Sequence, residues 1–264
     1  MKNIIVTGAY GGMGISVCRI FAGQGHRVWG LDIAEKERIS GVRFIHTDLT
    51  DALSVAAAFK KISSETDAID AIIHMAGIYD MNSLVEMRED DFKRIFDVNL
   101  FGVYRVNKAF MPLLRSGSRI IITTSELAPL DPLPFTGIYG ITKSALEKYA
   151  FSLRMELNLL GIKVSVIRPG AVSTRLLNDS TDALSAFCGN TSLYACNAAK
   201  FRRIVDSVEA RAVLPERIAA IVNKAVNIKR PRYVYCINRN PLLLLFNALP
   251  DRLQAAMIKL LLKS

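Results

Sequence analysis

The opening of the chain constrains its fold more than any other segment. An apolar run from Lys2 to Val6 passes through Thr7-Gly8-Ala9-Tyr10-Gly11-Gly12-Met13-Gly14 into a stretch with helical apolar spacing, from about Gly14 to Gln24. Glycine is required first at the tight strand-to-helix turn, next where backbone must approach a phosphate group, and last where helix meets sheet. Free amides at the start of the helix, with its dipole, attract an anion. A glycine-rich turn with no ligand is the competing account of such spacing.

The same alternation continues. Short β-rich runs at 27–32 and 42–46 are followed by a helical pattern at 51–64, a buried strand at 69–75 and a long helix at 89–111 ended by Pro112. A strand at 118–124, a helix at 137–159 closed near Gly161 and a strand at 163–167 cut short by Pro169-Gly170 come next. Strands that read as unbroken Val/Ile runs are buried on both faces, and helices between them call for parallel crossovers. The expected fold is therefore a doubly wound parallel α/β sheet in three layers, one domain over residues 1–264. Beyond Thr174 the pattern loosens until a helix at 215–227, a strand at 233–237 and two apolar helical pieces within 239–264.

With 51% hydrophobic and 22% charged residues the chain is far from the composition of disordered proteins. No run approaches the eighteen or so apolar residues of a spanning helix, and no leader-like segment precedes the first strand, so a cytoplasmic location is expected. Cys18, Cys188, Cys196 and Cys236 form no CxxC and do not pair with His26, His46 or His74 at short spacing, so no metal site is expected.

Asp32 ends the second strand about twenty residues past the glycines, where a carboxylate accepts hydrogen bonds from both hydroxyls of an adenosine ribose and repels a 2′-phosphate. No Lys or Arg lies in the glycine loop, and Ile33 and Ala34 follow the Asp, which favours NAD over NADP. Ser125 stands at the C-terminal end of the strand Ile120 to Thr124, the end where open α/β sheets place ligands. Tyr139 and Lys143 follow at i and i+4 on one helix face. A phenol is too weak an acid to serve as a base at neutral pH, and a nearby ammonium is expected to lower its pKa. Alone, the pair reads equally as a surface contact; with Ser125 it reads as a proton-transfer set.

These motifs together resemble the short-chain dehydrogenase/reductase family, in its single-domain branch. The resemblance covers residues 1 to about 175 closely and the remainder in outline. It implies that Gly8, Gly12 and Gly14, with Tyr10 and Met13 between them, hold the dinucleotide, that Asp32 binds ribose, and that Asp48 with Leu49 meets adenine. Asp48 reads as well as a loop residue capping the helix at 51. Ala76 and Gly77 would lie against ribose. Asn99 would hold a water in the proton relay, and Ser125, Tyr139 and Lys143 would form the catalytic set, with Lys143 also on the nicotinamide ribose. Pro169, Gly170, Val172 and Thr174 would run along the nicotinamide. His74-Met75 replaces the family's usual Asn-Asn before Ala76-Gly77, which changes local hydrogen bonding more than chemistry.

Residues 174–214 would form a substrate lid. Leu176, Leu177, Leu184, Phe187, Leu193, Tyr194 and Phe201 there, and Leu127, Ala128, Leu130, Leu133 and Phe135 after the serine, point to an apolar pocket. The expected substrate is a bulky hydrophobic alcohol or ketone, such as a hydroxysteroid, bile acid, retinoid or other lipid-derived alcohol. The alternative function is a dinucleotide-binding regulator that retains the fold without catalysis. Of the net charge of +10, residues 200–264 hold thirteen Lys or Arg against four acids. Without a helix-turn-helix signal or a run of adjacent basic residues, nucleic acid is not the expected partner. The C-terminal helices read either as packing beside the cleft and at a subunit contact or as a basic, apolar contact with an anionic membrane surface. A homodimer or homotetramer is expected through the helices carrying Asn99 and Tyr139.

Overall fold

The computed structural model describes residues 1–35, 38–207 and 212–263, and within them leaves aside the side chains of 175–180 and 206–207. The elements in chain order are β1 (Asn3–Thr7), α1 (Gly12–Gly23), β2 (Arg27–Asp32), β3 (Val42–His46), α2 (Ala52–Ser63) and β4 (Ile69–His74). Next come α3 (Glu89–Phe96), a π turn (Asp97–Phe101), α4 (Gly102–Phe110), β5 (Leu114–Thr123), α5 (Gly137–Asn158) and β6 (Lys163–Pro169). The chain continues through α6 (Arg175–Asn190), α7 (Ala195–Ser207), α8 (Pro215–Asn227), β7 (Val234–Ile237), α9 (Pro241–Asn247) and α10 (Asp251–Leu262).

The strands form one parallel sheet in the order β3-β2-β1-β4-β5-β6-β7. Because every strand runs the same way, the residues that leave β1, β2, β4, β5 and β6 at their C-terminal ends emerge along a single edge. The order reverses between β1 and β4, and a crevice opens at that switch point. Alternate strand residues serve two cores. Ile4, Val6 and Ile73 pack against Val17 and Phe21 of α1 and Ile218 and Val222 of α8. Ile5, Ile72 and Ile120 pack against Val55 of α2, Val106 and Phe110 of α4 and Leu146 of α5. Burial on both faces explains the unbroken Val/Ile runs, and each such side chain contributes roughly 1.5–3 kcal/mol.

Three features depart from the expected pattern. The long helix of 89–111 is two α-helices joined by the π turn, with buried Asn99 at its centre. Strand β5 starts at Leu114, four residues early, and its pairing with β4 shifts register between Ile69 and Ala71. The loose region after Thr174 contains α6 and α7, whose packing against α10 closes a separate small core of Met81, Leu184, Phe201 and Leu262. Among the described residues, no helix is long and apolar enough to cross a membrane.

Candidate active site

The glycine loop is packed tightly against the chain around it, largely against backbone. Gly8 adopts φ +63°, and a β-carbon there would lie 2.5 Å from the Ala76 nitrogen. A β-carbon on Gly14 would meet the Gly8 oxygen at 2.0 Å, and one on Gly12 would meet the Thr174 side chain at 2.6 Å. The loop therefore sits directly on the exits of β4 and β6. Tyr10 buries its ring against Phe44 and gives the loop only its backbone: its amide donates to Asp32 Oδ2 at 2.9 Å. The other Asp32 oxygen accepts from the Ile33 amide at 2.8 Å.

On the neighbouring strand exit, Asp48 accepts from both the hydroxyl and the amide of Thr50, at 2.7 and 2.8 Å, which holds its carboxyl below its ordinary range. Asp51, not Asp48, caps α2, through the Leu53 amide at 2.8 Å. Leu49 is buried in the core against Gly102.

At the centre of the edge, Ser125, Tyr139 and Lys143 come together, all buried. The Ser125 hydroxyl accepts from the Leu127 amide at 3.1 Å and shares a hydrogen bond with Tyr139. The Lys143 ammonium donates to the Thr123 carbonyl at 3.4 Å and lies 5.6 Å from the centre of the Tyr139 ring. Burial pushes the Tyr139 phenol up to about 12, with the Ser125 bond pulling the other way. It pulls Lys143 down to about 8. The expectation that the ammonium lowers the phenol is thus corrected: removal of both groups from water favours their neutral forms, and that effect prevails.

Asn99 is fully buried and holds the chain after β4 in place. Its Oδ1 accepts from the Ile78 amide at 2.9 Å, and its Nδ2 donates to the Ile78 carbonyl at 3.0 Å and to the Thr142 hydroxyl at 3.2 Å. Gly77 is small because space is short, since a β-carbon there would lie 3.3 Å from both Asn99 Oδ1 and Lys143 Nζ.

A cavity of about 240 Å³ joins these groups. Met13, Ala76, Gly77, Ser125, Tyr139, Lys143, Pro169, Gly170, Val172 and Thr174 all line it. Gly8, Tyr10, Gly12, Gly14, Asp32, Asp48 and Leu49 lie along the sheet edge beyond it, and Asn99 lies behind it.

The wall differs from the expected one. Leu127 lines this cavity, but Leu130 and Leu133 face a smaller neighbouring hollow. Leu184, Phe187 and Phe201 are buried in the satellite core, and Leu193 is exposed. Phe135 holds that cluster together at φ +66°, with its ring centre 4.4 Å from Phe187, 5.1 Å from Tyr194 and 5.2 Å from Phe201. Leu176 and Leu177 lie outside the described residues.

Several cavity residues were not foreseen, Tyr79, Glu126 and Leu243 among them. The ring of Tyr79 lies 4.7 Å from that of Tyr139, Glu126 follows the serine, and Leu243 arrives from α9. No local pattern announces Tyr79 or Leu243. An acid between the candidate serine and the apolar Leu127 and Ala128 was a readable signal for Glu126.

Comparison with known proteins gives one consistent result. The family model described as short chain dehydrogenase matches residues 2–185. A 3-ketodihydrosphingosine reductase of Bacteroides thetaiotaomicron is 29% identical over 231 residues, spanning 87% of this chain and 85% of its own length. Oxidoreductase UcpA of Escherichia coli is 33% identical over 184 residues, 66% of this chain and 70% of UcpA. Among solved structures, a short chain dehydrogenase family protein from Francisella tularensis superposes with TM-score 0.76 at 23% identity, covering 90% of this chain and 97% of that one. An alcohol dehydrogenase from Thermococcus sibiricus, complexed with 5-hydroxy-NADP, gives 0.71 at 22% identity, over 90% of this chain and 96% of that one.

Proposed function

The chain belongs to the short chain dehydrogenase family, and from that premise we propose that it interconverts a secondary alcohol and a ketone, or an alcohol and an aldehyde, on a bulky hydrophobic substrate with NAD. The observation that carries this reading is the convergence of Ser125, Tyr139 and Lys143 on one buried cavity at the sheet edge. A non-catalytic binding protein has no use for a buried lysine beside a buried phenol.

The residues present fit a dinucleotide. Loop amides between Gly8 and Gly14 would hold its pyrophosphate, Asp32 its adenosine ribose, Asp48 and Leu49 its adenine, and Ala76 and Gly77 would pass beneath it. Lys143, with Pro169, Gly170, Val172 and Thr174, would hold the nicotinamide end, and the bound nicotinamide supplies the two-electron acceptor or donor. Asp32 and Glu35, whose charges both act on Tyr10, support NAD, because a 2′-phosphate there would meet two negative groups.

With its phenol at about 12, Tyr139 keeps its proton at neutral pH, the state that donates to a ketone oxygen held by Ser125. Alcohol oxidation needs the phenolate, so its rate should climb with pH while ketone reduction does not.

The apolar lining and the sphingoid-named relative support a lipid-derived substrate, with hydroxysteroids, bile acids and retinoids in the same class. Exposed Phe101, Tyr104, Phe151 and Met155 on the helices around Asn99 and Tyr139 support a homodimer or homotetramer. On α10, Leu253, Met257, Leu260 and Leu261 stand exposed along one side, flanked by Arg252, Lys259 and Lys263. That charge and apolar pairing supports contact with an anionic bilayer, tested by flotation with phosphatidylserine vesicles at low salt.

The deciding experiment assays steroid, bile-acid, retinoid and long-chain alcohols with NAD and NADP, for wild type and Tyr139→Phe. The variant should lose roughly 10²–10⁴-fold in kcat. Undiminished turnover would overturn the catalytic assignment, and equal use of NADP would overturn the role of Asp32.

A further inference from the structure

One ionisable group on the cavity wall takes no part in the proton transfer. Glu126 follows Ser125 directly, is 9% exposed, and lines the cavity with Met75, Leu127, Val172 and Leu243. Its backbone is pinned by a bond from its amide to the Pro169 carbonyl at 2.9 Å. Carboxylate oxygen Oε2 accepts from the Asn240 amide at 2.6 Å. Oxygen Oε1 lies beside Gly170, where a β-carbon would sit 2.8 Å from it. Among the described residues, the ion pairs within 4.0 Å include none to Glu126, and Arg239 acts on it only from a distance.

A carboxylate removed from water without a cationic partner is costly, and acids are almost never buried unless paired. One backbone amide is a small return for that cost. Burial pushes the Glu126 carboxyl above its ordinary range, as expected of an acid short of positive charge. An apolar residue would suit the wall better if the cavity received only hydrocarbon. The carboxylate makes sense if the ligand brings the missing charge.

We propose that Glu126 is a recognition subsite for a cationic amine on the substrate. Ser125 and Glu126 are adjacent, with Cα atoms about 3.8 Å apart, so the amine belongs within a few bonds of the reacting C–O group. The substrate class is then a long-chain or bulky amino alcohol and its amino ketone: an ammonium head at Glu126, the oxygen at Ser125 and Tyr139, and a hydrocarbon remainder against the apolar lining. This rests on the reading of Ser125, Tyr139 and Lys143 as the reacting centre. The competing role for Glu126 is a tether that holds Asn240, the cap of α9, and so keeps Leu243 in the wall.

Glu126→Gln separates the two roles, because the amide oxygen still accepts from Asn240 while the charge is gone. The probes are a long-chain 2-amino-3-alkanol and the 3-alkanol of equal length without the amine, each assayed with NAD. Wild type should favour the amine in kcat/KM, chiefly through KM, and the variant should lower that preference by roughly 10- to 100-fold, the range of a charge-assisted hydrogen bond. A preference unchanged in the variant, or absent in wild type, overturns the subsite, and the wild-type comparison holds even if the variant folds poorly. Calorimetric binding of both probes reads the same ratio without turnover. Amine-selective binding without turnover of either probe would sink the oxidoreductase reading and leave the subsite standing.

Discussion

The glycine loop and the satellite core are built by different means. At the glycine loop, the positions that would hold a β-carbon on Gly8 and Gly14 are already filled by backbone, and that on Gly12 by the Thr174 side chain. In the satellite core, away from the cavity, α6, α7 and α10 surround a cluster of rings on Phe135, and their outer faces stay open to solvent. The first has no slack, so its shape is fixed by the chain around it. The second can be reshaped by exchanging side chains.

That contrast can be broken at either end. Gly14→Val should have the largest effect. Its new atoms meet the Gly8 carbonyl and Ala9 backbone, neither of which can rotate away, so the cost should exceed the ~1–3 kcal/mol usual for overpacking. Loss of cofactor-induced fluorescence change and a lowered urea midpoint would follow, whereas normal cofactor binding would show that the loop has slack after all.

Phe201→Ala should cost about 3 kcal/mol, confined to the satellite core. Limited proteolysis should then cut within 175–207 and substrate KM should rise, with cofactor affinity held. Equal loss at both ends would mean that the two regions fold as one unit.

The smallest effect sharpens the comparison at the junction. Lys143→Met should abolish turnover yet stabilise the fold at neutral pH by roughly 2–3 kcal/mol, since burial lowers the lysine from 10.5 to about 8. The sign follows from the protons bound. Below about 8 the unfolded chain gains the full benefit of a solvated ammonium, and wild type carries the whole penalty. Between about 8 and 10.5 the penalty fades, so the melting-temperature advantage of the variant should shrink over that window and vanish above it.

The same contrast explains what could be read from residues alone. The sheet and the glycine loop were legible because they depend on local rules: Val/Ile runs, a turn that only glycine fits, and a Tyr and Lys one helical turn apart. Asp32 and Ser125 were legible because a parallel sheet sends the residues after each strand to one edge. Helices α6 and α7 were not, because Asn178, Asp179, Ser180 and Thr181 read as loop, and the helix is held by its packing more than by propensity. The burial of Phe187 and Phe201 away from the cavity, and the arrival of Leu243 from α9, depend on contacts far apart in sequence. The raised phenol of Tyr139 was also hidden, because a motif names the ammonium beside it but not the depth at which both sit.

The π turn at Asp97–Phe101 makes residue count a structural variable. It accommodates one residue more than a regular helix would hold, and Asn99 at its centre bonds both polar atoms of the Ile78 backbone. Deleting a single neighbour, such as Leu100, would rotate the Asn99 side-chain amide off its target by about a quarter turn and would also remove a side chain packed against the core. A one-residue shortening should therefore unseat Asn99 in a way that exchanging side chains one at a time would not reveal.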